Sequence, residues 1–298
     1  MLITESAMEH GHVSLLILGA GWTSTFLIPR LEAEHTSYAA TTTDGRDGTI
    51  PFKFDPDAPD DEDLAQFKAL PYAKTVLIVF PLKGTGPAAK LVRQYAASHP
   101  DGEGEGEGPR PRFIQFGVTS IWTAKDAWSD DDAPYDGANA RAVAEDELMG
   151  CARASVLCLA GLYGGARQPR NWVDRVVRTK ADLRAKGALH VVHGEDVARA
   201  VVALHRNFTP GKRWLLCDMH IYDWWDLVQD WAIQTLRDDA ATEAQTTRQK
   251  ELLSWVGELM VEEGVRALPR DSTAVGRRLD GRAFWQKMGI WPTQGRIR

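Results

Sequence analysis

The stretch Leu15–Leu31, LLILGAGWTSTFLIPRL, joins an apolar run to a longer mixed run through two closely spaced glycines. The apolar run predicts a buried strand, and the residues from Trp22 to Glu34 predict a helix. Gly19 permits the tight turn between them, and Gly21 lets the backbone approach a pyrophosphate with no Cβ in the way. The helix then offers free N–H groups and the positive end of its dipole. The stretch therefore predicts a turn that binds a dinucleotide.

The residues after the second glycine differ from the usual dinucleotide-binding pattern at one position but still allow its geometry. Ser24 stands where a third glycine is usual, and its small side chain still lets the helix pack closely on the strand. We expect Trp22, Thr23 and Ser24 to surround the pyrophosphate. The alternative is an ordinary strand-turn-helix that holds no ligand, because short motifs also occur by chance.

The end of the second predicted strand indicates which dinucleotide binds. An NAD enzyme places Asp or Glu there to bond the ribose hydroxyls, whereas this chain has threonines followed by Arg46. The Thr43 hydroxyl and the Arg46 guanidinium suit a 2′-phosphate, so we predict NADP. Asp44 keeps NAD open as the alternative, because its carboxylate would reach the ribose diol if the strand ran two residues further. Pro81, after the apolar run Thr75–Phe80, is also expected beside the cofactor.

The rest of the chain alternates strand-like and helix-like runs, which predicts an α/β fold with a doubly wound parallel sheet. We expect a Rossmann-type core over residues 13–170. A smaller, mostly helical substrate lobe, with late sheet strands and C-terminal helices, is expected over residues 171–298. The predicted strands are Val13–Leu18, Ser37–Thr42, Thr75–Phe80, Arg112–Val118, Ser155–Leu159, His190–Val192 and Arg213–Cys217. The further predicted helices are Asp60–Leu70 (capped by Asp60 or Asp61), Thr85–Ser98, Asn139–Arg153, Glu195–Arg206, Tyr222–Leu236 and Thr246–Glu263.

Composition excludes several classes of function. The chain has 298 residues, is 44% hydrophobic and 26% charged, and carries a net charge of -6. Lys and Arg do not cluster as nucleic-acid binding requires, and Arg277-Arg278 beside Asp280 are interpreted as a solvated face. No apolar run is long enough for a membrane span. His190 and His193 lie in a strand-like run and point to opposite faces, so we expect no metal site.

Two features indicate a reducing, cytoplasmic location. The segment Met1–His12 lacks a basic start followed by an apolar stretch, so it does not resemble a signal peptide. The odd cysteine count cannot close fully into disulfides, and no CxxC pair is present. The cysteines are Cys151, Cys158 and Cys217.

An acidic low-complexity segment, DGEGEGEGPR, lies between Pro100 and Pro111. Alternating Gly and Glu cannot bury a core, so we interpret the segment as a flexible surface insertion. A functional acidic loop is the alternative.

Several segments, taken in order, carry a resemblance to a known family. Together with the turn at Gly19–Trp22, the chain from about Ser14 to Asp218 resembles the extended and atypical short-chain dehydrogenase/reductases, the group that contains nucleotide-sugar epimerases and dehydratases. The matching segments are Phe113–Trp122, Arg141–Glu145, Leu159–Gly164 and His193–Ala198.

The resemblance implies where a catalytic site would lie. Active members carry a Ser or Thr after the fifth-region strand, followed by Tyr and Lys spaced YxxxK on the next helix. The family's strand motif places Val118 at the position of the hydroxyl, with Thr119 and Ser120 directly after it. These two hydroxyls are therefore candidate catalytic groups.

The YxxxK pair itself is missing. With Glu145 matched to a family Glu, Arg141 stands at the Lys position and Gly137 at the Tyr position. Arginine cannot exchange a proton at neutral pH, because its pKa stays too high. Tyr135, two residues earlier, is the candidate that would replace the missing phenol. Tyr163 and His193 are further candidates, although we expect the first to pack its loop and the second to bond the backbone of the next helix.

Aromatic and basic side chains suggest the character of the substrate. Four tryptophans follow predicted strands or lie in loops at the carboxyl edge of the sheet, where a ring of aromatics would favour a flat, apolar substrate. They are Trp22, Trp122, Trp128 and Trp172. Three later ones are expected to fill the core or an interface: Trp224, Trp225 and Trp231. Arg167, Gln168 and Arg170 follow a Gly-Gly turn and either bind an anionic substrate group or lie on the surface.

These observations favour an NADP-dependent oxidoreductase that acts on a carbonyl or hydroxyl of a small, partly aromatic molecule. Two alternatives stay open: an epimerase or dehydratase that recycles its cofactor, and a non-catalytic NAD(P)-binding regulator, which the missing YxxxK favours. By analogy with the family, a homodimer formed through helices is also expected.

Overall fold

The computed structural model describes residues 12–99 and 110–297. The strands are β1 His12–Leu18, β2 Tyr38–Thr42, β3 Ile50–Pro51, β4 Tyr72–Ile78, β5 Arg112–Val118, β6 Trp128–Ser129, β7 Ala154–Leu159, β8 Gly161–Tyr163, β9 Ala188–Leu189, β10 Val191–His193, β11 Lys212–Leu216, β12 Tyr222–Asp223 and β13 Arg278–Leu279. The helices are α1 Ser24–Ala33, α2 Asp60–Lys68, α3 Pro87–Ala97, α4 Ala140–Cys151, α5 Val173–Val176, α6 Lys180–Arg184, α7 Gly194–Arg206, α8 Trp224–Leu236, α9 Glu243–Glu262 and α10 Arg282–Met288.

The main sheet has seven strands in the order β11-β7-β5-β4-β1-β2-β3. Every neighbouring pair in it is parallel. The chain runs from β1 to β3 on one side and returns to β4 on the other, so the strand order reverses between β1 and β4. A crevice opens at the carboxyl ends of the strands where the order reverses, and open α/β sheets bind ligands there. The predicted doubly wound α/β fold is confirmed.

The buried strands explain why helices cover both faces of this sheet. Alternate residues of β1 enter two separate apolar cores, with Leu15 and Ile17 in one and Leu16 and Leu18 in the other. Because successive side chains of a strand point to opposite faces, an unbroken apolar run requires cover on both sides. Helices α1 and α7 supply one layer, and α2 and α3 supply the other.

A third core lies in the later part of the chain, where α8 and α9 pack together. Trp225 and Val228 of α8 meet Leu252 and Val256 of α9 there. Trp224 and Trp231 are buried in the same core, so the expected core-filling role of this late group is confirmed. Strand β11 belongs to the later part of the chain but forms an edge of the main sheet, and the domain boundary at residue 170 stays a prediction.

One local prediction is wrong. Helix α2 begins at Asp60, and its capping position is occupied by Pro59, which provides no side-chain cap. The Asp60 carboxylate bonds the Arg93 guanidinium at 3.0 Å instead. The Asp60 side chain, which was expected to cap α2, therefore forms an ion pair with the neighbouring helix α3.

Within residues 12–99 and 110–297, no helix has the length and apolar character needed to cross a bilayer. The Gly/Glu-rich segment and residues 1–11 lie outside the described residues.

Candidate functional site

The glycine turn after β1 has the backbone geometry that the sequence predicts. Gly19 has φ +95°, a conformation that favours glycine. A Cβ at Gly19 would lie 3.2 Å from Cδ1 of Phe80. The Gly19 N–H donates to the Thr41 hydroxyl at 3.0 Å, and the Ala20 N–H donates to the Thr41 carbonyl at 2.6 Å. The turn is therefore held against β2 and β4.

The space in front of the turn is open and is lined by unpaired donors. A Cβ built on Gly21 would meet no atom within 4 Å, so this position opens onto free space. The N–H groups of Trp22 and Thr23 donate to no group in the described part of the chain. The buried Ser24 hydroxyl, at the start of α1, also has no partner there. Unpaired donors at a helix N-terminus are what an anion requires.

The residues that the sequence predicts to select between NADP and NAD lie side by side beyond β2. The Arg46 guanidinium donates to the Asp44 carboxylate at 2.9 Å, and both side chains are more than half exposed. The Thr42 hydroxyl donates to the same carboxylate at 3.0 Å. These contacts hold the pKa of Asp44 below its usual range, with the Thr42 hydrogen bond as the main cause. Thr43 is exposed beside this pair.

Phe80 forms part of the opposite wall and was not predicted. It follows β4, contacts the Gly19 turn, and stacks on Phe54 with the ring centroids 6.0 Å apart. Pro81, which was predicted beside the cofactor, is exposed directly after it. The position of Phe80 at the end of the strongest apolar run was the available signal, because residues at the end of a strand reach the carboxyl edge of the sheet.

The tip of β5 carries the two predicted hydroxyls. Thr119 and Ser120 lie in a short 3₁₀ turn, where Thr119 is buried and Ser120 is exposed. The Arg277 guanidinium donates to the Thr119 carbonyl at 2.9 Å. Arg278 is buried next to it in β13. The interpretation of these two arginines as a solvated face is therefore wrong, because a late loop folds back onto the end of β5.

Tyr135 and Arg141 lie close to each other but make different contacts. The Tyr135 hydroxyl donates to Asp146 at 2.9 Å. Partial burial raises the pKa of Tyr135, and the hydrogen bond to Asp146 adds to the shift. The Arg141 guanidinium donates to the Phe116 carbonyl of β5 at 2.6 Å. Tyr135 is thus bonded to α4, and Arg141, which belongs to α4, is bonded to β5.

A buried ion network connects these residues. The Arg213 guanidinium bonds the fully buried Glu145 and also Asp146, the latter at 2.7 Å. It also lies over the Tyr135 ring at 4.6 Å. A Cβ on Gly117 of β5 would approach the Glu145 carboxylate to 2.8 Å, so the network fits tightly under this strand.

The loop after β11 adds features that the sequence did not reveal. Met219 has φ +69°, a backbone conformation that is strained for this residue. Asp218, buried beside it, accepts a 2.6 Å hydrogen bond from the Tyr222 hydroxyl. Burial raises the pKa of Asp218 to about 6. Backbone strain and a displaced pKa often occur at functional sites.

A series of rings leads from the turn at Gly19–Ser24, the predicted dinucleotide turn, to the later part of the chain. Trp22 packs on Phe26, Phe26 on His193, and His193 on Tyr163, with centroid separations of 5.0, 5.4 and 4.9 Å. The Arg167 guanidinium covers the outer face of Trp22 at 4.5 Å. A Cβ on Gly194 would overlap the Phe26 ring. The series therefore fits only because α7 begins with glycine.

The expected packing roles of His193 and Tyr163 are confirmed. His193 Nδ1 accepts a hydrogen bond from the Glu195 N–H at 3.1 Å, and Tyr163 is buried. The predicted ring of four tryptophans is wrong, because Trp122 is fully buried and donates to the Ala133 carbonyl at 3.2 Å. No group of three or more His, Cys, Asp or Glu among the described residues forms a possible metal site.

Comparisons with known proteins were made by sequence and by structure. No family model matches the sequence, and no curated protein is significantly similar to it in sequence. A conserved protein of unknown function from Silicibacter pomeroyi is 17% identical, with a TM-score of 0.60 over 96% of this chain and 95% of its own. Vestitone reductase from alfalfa is 16% identical, with a TM-score of 0.59 over 95% and 94%.

dTDP-glucose 4,6-dehydratase from Bacillus anthracis, solved in complex with NAD, is 9% identical, with a TM-score of 0.57 over 95% and 92%. These likenesses show that the chain shares its fold with proteins described as a reductase and as epimerase/dehydratases, in agreement with the fold that the resemblance implied.

Proposed function

We propose that this chain is an NADP-dependent oxidoreductase that acts on a carbonyl or hydroxyl of a small molecule. The observation that carries the proposal is the turn at Gly19–Ser24. Open space at Gly21 and the unpaired N–H groups of Trp22 and Thr23 lie at the strand-order reversal of the sheet. This combination suits the pyrophosphate of a dinucleotide.

Arg46 supports NADP as the dinucleotide. Its guanidinium is exposed beyond β2 and bonds only Asp44 among the described residues. A 2′-phosphate would offer the guanidinium a more highly charged partner than this single carboxylate. Thr43, exposed beside it, would provide a hydroxyl to the same phosphate.

When bound, the cofactor supplies hydride chemistry. Ser120, exposed at the tip of β5, would donate a hydrogen bond to the substrate oxygen, and Thr119 would shape the same turn. Arg141 would act as a positioning residue, because it is bonded to the β5 backbone, whereas the Tyr135 hydroxyl is bonded to Asp146 and would stabilise the fold. In this proposal Arg141 fixes the strand that presents Ser120.

A non-catalytic NADP-binding regulator is the second candidate. The same hydrogen bonds of Tyr135 and Arg141 favour it, because they leave no phenol-cation pair of the YxxxK kind at the tip of β5. The two candidates share the dinucleotide turn and differ only in turnover.

Calorimetry with NADP(H) and NAD(H), on wild type and on Arg46→Ala, tests the cofactor. We expect wild type to prefer NADP and the variant to lose that preference. Equal affinities that the substitution does not change would remove the phosphate-binding role of Arg46. Steady consumption of NADPH with a panel of carbonyl compounds supports the oxidoreductase, whereas tight binding without turnover supports the regulator.

A further inference from the structure

A cavity of about 380 Å³ lies beyond the ring series. The loop after β8, the end of β10, helix α8 and the segment 294–297 enclose it. The dinucleotide turn contributes no residue to its lining. Nothing in the proposed dinucleotide chemistry uses this space.

One neutral donor, on His193, faces the cavity, and the Trp231 indole packs against it. Trp231 lines it, is 5% exposed, and its indole Nε1–H has no hydrogen-bond partner among the described residues. His193 also lines it. Because His193 Nδ1 accepts the Glu195 N–H, the ring proton of the neutral imidazole lies on Nε2.

Two cations complete the lining. Arg170 is exposed and forms no ion pair with the described residues, and Arg296 lies 3.6 Å from Asp226 at the rim. No Asp or Glu from the described part of the chain lines the cavity. A lining that combines an N–H donor and guanidinium groups, without a carboxylate, suits an anion.

The wall formed by the segment near the C-terminal end is held in place. The Asp196 carboxylate accepts the N–H groups of Thr293 and Gln294, at 2.9 and 3.2 Å. The Tyr222 hydroxyl accepts the Ile297 N–H at 3.2 Å. Because these contacts fix the segment without a ligand, binding would require little ordering of the wall.

We propose that this cavity binds the oxyanion group, carboxylate or phosphate, of a ligand distinct from the dinucleotide. His193 donates a neutral hydrogen bond to it, Arg170 and Arg296 balance its charge, and the Trp231 ring packs against the site and reports on its occupancy. The site stands independently of the proposed oxidoreductase activity, because it shares no lining residue with the turn at Gly19–Ser24.

Indole N–H resonances of the full chain, labelled with ¹⁵N-tryptophan, test the proposal. Trp231→Phe identifies the Trp231 signal by its loss. Titration with inorganic phosphate and, separately, with acetate, at constant ionic strength set with chloride, should shift that signal saturably. The oxyanion that binds more tightly identifies the source as phosphate or carboxylate.

Arg170→Gln and Arg296→Gln should each weaken binding about tenfold, the loss expected for one charged hydrogen bond. Arg175→Gln, an exposed arginine on α5 outside the lining, is the matched control and should bind like wild type. A Trp231 signal that moves with neither anion, or that moves equally in all three arginine variants, would overturn the site. A parallel NADP titration of the same samples reports separately on the dinucleotide turn.

Discussion

The Tyr135 hydroxyl donates a hydrogen bond to the Asp146 carboxylate at 2.9 Å, and the Arg213 guanidinium lies over the Tyr135 ring. The phenol in the neighbourhood of the missing YxxxK pair is thus held by α4 and β11. Burial and the Asp146 hydrogen bond raise its pKa, which moves it away from the neutral range where proton exchange is efficient. The proposed reaction is therefore assigned to the Ser120 hydroxyl at the tip of β5.

Substitutions of Ser120 and Tyr135 show which of the two hydroxyls takes part in the proposed reaction. Ser120→Ala should lower kcat/KM for NADPH consumption about tenfold, because it removes one hydrogen bond to the substrate oxygen. Tyr135→Phe should leave kcat/KM near the wild-type value and lower Tm, because it removes the bond to Asp146. The reverse pattern in steady-state kinetics and thermal melts would return the catalytic role to Tyr135.

Gly21→Ala tests the open space before the turn. A Cβ there meets no protein atom within 4 Å, so Tm should not change. It would enter the space proposed for the pyrophosphate, and NADP affinity measured by calorimetry should fall at least about tenfold. Gly257→Ala, on α9, also meets no atom within 4 Å and is the control. Unchanged NADP affinity in Gly21→Ala would exclude this turn as the pyrophosphate site.

Asp44→Asn tests the charge beside Arg46. The substitution removes a carboxylate that occupies the guanidinium and repels a 2′-phosphate. NADP affinity should rise severalfold while NAD affinity does not rise. If NAD affinity falls sharply and NADP affinity stays constant in the same titrations, Asp44 bonds the ribose diol and the NAD alternative is correct.

Glu145→Gln tests the buried network. The substitution leaves the buried Arg213 guanidinium without its fully buried charged partner, which costs about 3 kcal/mol of the free energy of unfolding. Denaturant unfolding measures the loss. Glu258→Gln, in an exposed pair with Lys180, is the control and should be close to neutral. Equal stabilities of the two variants would show that the buried pair contributes little.

Acid should destabilise the protein partly through His205. Burial lowers the pKa of His205 to about 4 in the folded state, against 6.5 when unfolded. Between these values only the unfolded chain binds the proton, so stability is present above pH 6.5 and is lost as pH falls towards 4. His205→Gln should flatten the decline of Tm over this range. His12→Gln, an exposed histidine on β1, should retain the wild-type slope, and identical slopes in both variants would contradict the role of His205.

Much of the fold follows from local patterns. The apolar runs before Gly19 and around Leu77 predict buried strands from their own residues alone, without information on the rest of the chain. The hydrogen bond that His193 accepts from the Glu195 N–H also depends only on residues nearby in sequence. Such features were predictable because their energetics involve a few consecutive residues.

The features that the sequence did not predict depend on contacts between residues that are far apart in sequence. Arg277 reaches the Thr119 carbonyl across 158 positions of sequence. Asp60 bonds Arg93 on another helix, which no capping rule anticipates. The burial of Trp122 likewise depends on elements that only the folded sheet brings together. Sequence reasoning could name these residues but not the partners that determine what they do.

The fit of Phe26 against Gly194 means that the beginning and the later part of this chain are not interchangeable modules. A chimaera that kept α1 but took α7 from a relative would place any non-glycine residue at position 194 inside the Phe26 ring. The displaced ring would push on Trp22, its neighbour in the dinucleotide turn. Recombination within this fold therefore has to transfer the aromatic residue and its facing glycine together.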